Sequence, residues 1–64
     1  MTQKELMYVE DAILHEINII NICNETIDLL EEEDLVSFFE KEVKKHSNML
    51  NKLTSLLEDK ANEW

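Results

Sequence analysis

The chain has 64 residues, with 15 acids against six Lys for a formal net charge of -9, and it contains no Gly, no Pro and one Cys. That length allows one domain whose own core supplies roughly 3–5 kcal/mol at most, and a single Cys with two His is too few for an internal disulfide or a structural zinc site. Net negative charge without a single Arg excludes nucleic acid as a partner.

The longest uncharged apolar run, Ile17–Cys23, falls far short of the roughly 20 residues that cross a bilayer, so no membrane partner is expected. No basic segment leads into an apolar one, and secretion by a signal peptide is not expected either.

Without Gly or Pro the chain lacks the usual turn residues of β-hairpins, and its pattern is helical throughout. Thr2 followed by Glu5 fits a capping box, and Met1 with Leu6 fits the accompanying hydrophobic staple, which also makes Met1 the expected native start. Placed at steps of about 100°, Leu6, Val9, Ala12, Ile13, Ile17, Ile20, Cys23, Ile27 and Leu30 share one arc with coiled-coil-like spacing. Continued past residue 30, the same seam meets only polar residues, from Asp34 and Ser37 to Ser55 and Glu58. The chain is therefore expected to reverse near Glu31–Asp34, with helix 1 over 3–31 and the turn over 31–34.

A second stripe opens in a new phase with Leu35, Phe38, Phe39 and Val43 and continues through Met49, Leu50, Leu53, Leu56 and Leu57. Asp34 reads as its N-cap, helix 2 is expected over 35–61, and both Phe38 and Phe39 read as core anchors. The fold class is all-α: one antiparallel two-helix hairpin over residues 1–64, each helix roughly 40 Å long at 1.5 Å per residue. Charge divides unevenly, with ten acids and one Lys in residues 1–34 and five of each in residues 35–64.

Helix 1 carries a further row, Met7, Leu14, Ile22 and Leu29, outside its main arc. Two helices do not bury three apolar rows against each other, so the hairpin is expected to form a homodimer, a four-helix bundle. The dimer seam is read as Leu6, Val9, Ile13, Ile17, Ile20 and Ile27 with Leu35, Phe39, Val43, Leu50, Leu53 and Leu57. The extra row then offers a secondary contact to further partners.

Three polar residues stand where the stripes call for apolar ones: Glu16 on helix 1, and Glu42 and His46 on helix 2. Folding at the expected turn sets His46 near the level of residue 19 or 20, within about one turn of Glu16. A two-fold bundle gathers two copies of each, similar in composition to the carboxylate-and-histidine interior of ferritin-like bundles that bind two iron or manganese ions. Their Glu-x-x-His motif is absent, because Val43 stands three residues before His46 and Ala12 three before His15. The favoured reading is a Glu–His hydrogen bond that fixes helix register. The alternative is an improvised Fe, Mn or Zn site on Glu16, Glu42 and His46, and no other cofactor is implied.

His15 projects to the surface, and Cys23, at the edge of the seam without a basic neighbour, reads as a small core hydrophobe. A disulfide between subunits is the alternative for Cys23 in an oxidising setting. Tyr8 and Trp64 lie off the stripes or at their end. No nucleophile–base constellation or phosphate-binding loop is present, so the chain is not expected to be an enzyme.

The opening Thr2-Gln3-Lys4-Glu5-Leu6, then Glu10-Asp11 and Glu16, followed by Leu35, Phe39, His46, Leu53 and Leu56-Leu57, resembles the spore coat protein F-like family (the Coat F domain) of spore-forming Firmicutes. This resemblance runs along nearly the whole chain. It implies a ferritin-like fold and a small structural component of the spore coat, or a cytoplasmic relative, with other coat or helical proteins as partners. Relatives often carry a Pro and a milder charge at the turn, where this chain has Glu31-Glu32-Glu33-Asp34. A second resemblance is to short two-helix phosphatases that act on response-regulator aspartates. Ser55-Leu56-Leu57-Glu58-Asp59 fits their Ser-x-x-x-Asp spacing, twenty residues beyond Asp34 instead of close behind the turn.

Overall fold

The computed structural model describes residues 1–61. Two helices, α1 (Gln3–Leu29) and α2 (Glu33–Ala61), pack along each other as an antiparallel hairpin of 49 × 15 × 11 Å, with no strand among the described residues. None of these helices is long and apolar enough to cross a membrane.

The start of α1 follows from its first five residues. Glu5 N–H donates to Thr2 Oγ1 at 3.0 Å while Thr2 N–H donates to Glu5 Oε1 at 2.8 Å, so two amides that the helix leaves without partners are satisfied reciprocally. The Thr2 amide, and after it the Thr2 hydroxyl, hold the Glu5 carboxyl below the usual carboxylate range. Met1 and Leu6, the two staple residues, are both half-buried.

The reversal differs from the expected one by about two residues on each side. Leu30 leaves the helix with an extended backbone (φ -89°, ψ 142°), and its N–H donates to the Ile27 carbonyl at 3.2 Å. The Glu32 carbonyl already accepts from Val36 N–H at 3.0 Å, so α2 starts at Glu33 rather than at residue 35. Asp34 is therefore not the N-cap; it sits with Glu33 inside the first turn, where acids favour the positive end of the helix dipole. No described residue has a positive φ, and the chain turns back without needing glycine.

Along α1 and its C-cap the residues facing the partner helix are Leu6, Val9, Ile13, Glu16, Ile20, Cys23, Ile27 and Leu30, an unbroken alternation of three and four. Along α2 they are Val36, Phe39, Val43, His46, Leu50, Leu53 and Leu57 in the same alternation. The stripes read as a dimer seam are thus largely spent inside one hairpin. Two of their expected members stand outside it: Ile17 and Leu35 are exposed on the flanks, displaced by Glu16 and Val36. Phe38 is also exposed and not a core anchor, and it meets Phe39 edge-on with ring centroids 5.3 Å apart.

Candidate functional site

Glu16 and His46 are the carboxylate and the imidazole of the two seams, and the hairpin brings them together. His46 Nδ1 and Glu16 Oε2 lie 2.5 Å apart and share a hydrogen bond from one helix to the other. Glu42, one turn before His46 on α2, places Oε2 3.4 Å from His46 Nε2. The ring thus lies between two carboxylates, with the side chains of Glu16, His46 and Glu42 only 16, 23 and 30 % exposed. Among the described residues no buried side-chain nitrogen or oxygen lacks a hydrogen-bond partner.

The contact also sets the register. With the turn centred on Glu31, His46 stands level with Glu16 itself and not with residue 19 or 20. Counting outward at 1.5 Å per residue on each helix puts Ile13 level with Leu50, Ile20 with Val43, Cys23 with Phe39 and Val9 with Leu53. A slip of one turn would face Glu16 with an apolar residue, which is costly because a carboxylate is dehydrated there without a partner.

The trio does not amount to a metal site in one hairpin. Among the described residues no group of three His, Cys, Asp or Glu side chains is arranged to hold a metal ion. Glu16 is hydrogen-bonded to His46, and Glu42 lies within ion-pair distance of the other ring nitrogen.

A second feature was not separated from the seam by sequence reasoning. Leu35, Glu42, Met49 and Leu56 recur every seven residues along one flank of α2. The level counting sets Ile19 and Ala12 of α1 beside them, and Glu5 and Leu56 line one open hollow with Met1, Val9, Leu57 and Lys60. Met49 and Leu56 remain 45 and 49 % exposed and Leu35 44 %, so this flank is an apolar groove face with the Glu42–His46 contact in its middle.

The other candidates fall where their chemistry is quiet. Cys23, expected at the seam's edge, is the most enclosed side chain of the fold at 7 % exposure, which leaves its thiol poorly placed for a disulfide to another subunit. His15, Tyr8, Ser55 and Asp59 are exposed, and Trp64 lies outside the described residues. Met7, Leu14, Ile22 and Leu29 are exposed as expected, Leu29 to 83 %. No family model, no curated protein and no solved structure matches the chain.

Proposed function

We propose that this chain is a non-catalytic structural element that acts by self-association, two hairpins joining groove face to groove face as a four-helix bundle. The observation that carries the reading is the contrast between a single buried side chain, Cys23, and ten exposed large apolar ones on 61 described residues. A two-helix chain of this size gains most of its stability from what it packs against. A face about 49 Å long and 15 Å wide is of the order of the roughly 800 Å² that each partner of a standard dimer contributes. Pairing two such faces about a two-fold axis covers Leu35, Met49 and Leu56 of both copies at once.

Following the resemblance to the Coat F family, we extend the proposal to a structural role in the spore coat or cytoplasm of a spore-forming bacterium. Light scattering on the purified chain at micromolar concentration tests the assembly step: the mass of two chains is expected. Met49→Asp with Leu56→Asp, both at exposed positions, should yield a monomer. A monomeric, cooperatively folded wild type would overturn the reading.

A further inference from the structure

Pairing the groove faces leaves the outer side of each helix uncovered, and over their central stretches the two outer sides carry opposite charge. On α1, Met7, Leu14, Ile22 and Leu29 stand on one outward arc with Asp11 and Glu25 between them. On α2 the outward arc holds Phe38, Lys41, Lys45 and Lys52, all exposed, before it turns acidic at Asp59 near the end of the helix. Among the described residues none of these lysines is in an ion pair. Because the two arcs point away from each other across the hairpin, the acids of one never reach the lysines of the other within a chain.

We propose that the outer face of α1 docks on the outer face of α2 of a second copy, extending the dimer of the previous section into larger assemblies. Spans agree: Asp11 and Glu25 are roughly 21 Å apart along α1, and Lys41 and Lys52 roughly 17 Å along α2, a difference that lysine side chains absorb. Each Lys lays its apolar stem over Leu14 or Ile22 and delivers its ammonium to a neighbouring carboxylate. A contact between two different faces is heterologous; it leaves one free face of each kind at the ends and does not close on itself as a two-fold pairing does. Exposed ion pairs are screened over about 10 Å at 0.1 M salt, so growth belongs to low ionic strength.

The test is sedimentation velocity on the full chain at rising concentration, in low salt and again at high salt. Wild type should exceed the dimer mass in low salt and return to it in high salt. Lys41→Glu with Lys52→Glu, and separately Asp11→Lys with Glu25→Lys, should each stop at the dimer, and an equimolar mixture of the two should grow again. Both variants keep a net negative charge, so gross attraction does not account for regained growth. Leu14→Asn with Ile22→Asn should also stop at the dimer, with helicity unchanged by circular dichroism. A wild type that never exceeds the dimer, growth untouched by either charge reversal, or a mixture that fails to regain it would each overturn the proposal. A wild type that is monomeric in high salt yet grows by single chains in low salt would defeat the groove-face dimer and leave this contact standing.

Discussion

His46 of α2 sits between two carboxylates, with Nδ1 bonded to Glu16 of α1 and Nε2 facing Glu42 on its own helix. The contact to Glu16 is a hydrogen bond between side chains of the two helices, and every other seam layer is apolar. Apolar layers are tolerant of sliding, since one Ile or Leu packs about as well against another. A single polar layer is not, and it singles out one register among several of similar apolar burial.

Breaking and replacing that layer should therefore have opposite results. His46→Leu leaves the Glu16 carboxylate without its donor in a half-buried position and should destabilise the fold by about 1–3 kcal/mol. Glu16→Leu with His46→Leu restores an apolar layer and should recover most of that loss. Chemical denaturation at one fixed protein concentration measures both, because any self-association makes stability concentration-dependent. A double variant no better than His46→Leu would show that the bond carries net stability and not register alone.

Much of this was legible in the sequence, and what was missed has a physical cause. The capping box, the reversal and the two stripes follow from local chemistry, since Thr2 with Glu5 and the loss of apolar spacing after Leu30 require no knowledge of tertiary contacts. Glu16 lies on the stripe by spacing, and Ile17 beside it fits the apolar pattern equally well, but the strict alternation of three and four denies it a seam place. Leu35 likewise took the place that belongs to Val36, because either residue satisfies hydrophobicity and only the partner helix decides the phase. The groove face is not legible in the sequence for the same reason: Met49 and Leu56 are apolar and near the seam, and exposure depends on which arc the other helix covers.

Cys23 sits level with Phe39 in the most enclosed layer of the hairpin. Its thiol should react with a thiol-specific reagent much more slowly in native protein than in denaturant. Cys23→Ser puts a hydroxyl in the same place and should cost about 1–3 kcal/mol, more than Cys23→Ala if the hydroxyl finds no partner. Equal reaction rates in native and unfolded protein would place the thiol at the surface instead.

The capping box gives α1 a defined acid sensitivity. Glu5 is held below its ordinary value of 4.5 by the Thr2 amide and hydroxyl, so the folded state binds its proton less readily than the unfolded chain. Its contribution is present above the unfolded value and is lost as pH falls through the lowered one. Helicity followed by circular dichroism should thus fall on acidification below about pH 4.5, and the part of that fall due to Glu5 should vanish in Glu5→Gln. An unchanged acid profile in that variant would mean that the carboxylate contributes nothing to the cap.

At the other end of α1 the charge arrangement runs against the helix dipole. The last turn contains no basic residue, and exposed Asp28 sits there beside the acidic run that opens α2. Glu33 and Asp34 gain from the amino end of α2, whereas Asp28 faces the carboxyl end of α1, where negative charge is unfavourable. Asp28→Lys reverses that sign, reduces repulsion within the acidic cluster and should raise stability by about 0.3–1 kcal/mol at low ionic strength. Thermal unfolding at one protein concentration in low and high salt measures the gain. It should shrink as salt rises, because the charges involved are exposed and screened. A gain of equal size at both ionic strengths would assign it to the higher helix propensity of Lys over Asp, and a loss at low salt would contradict the dipole argument.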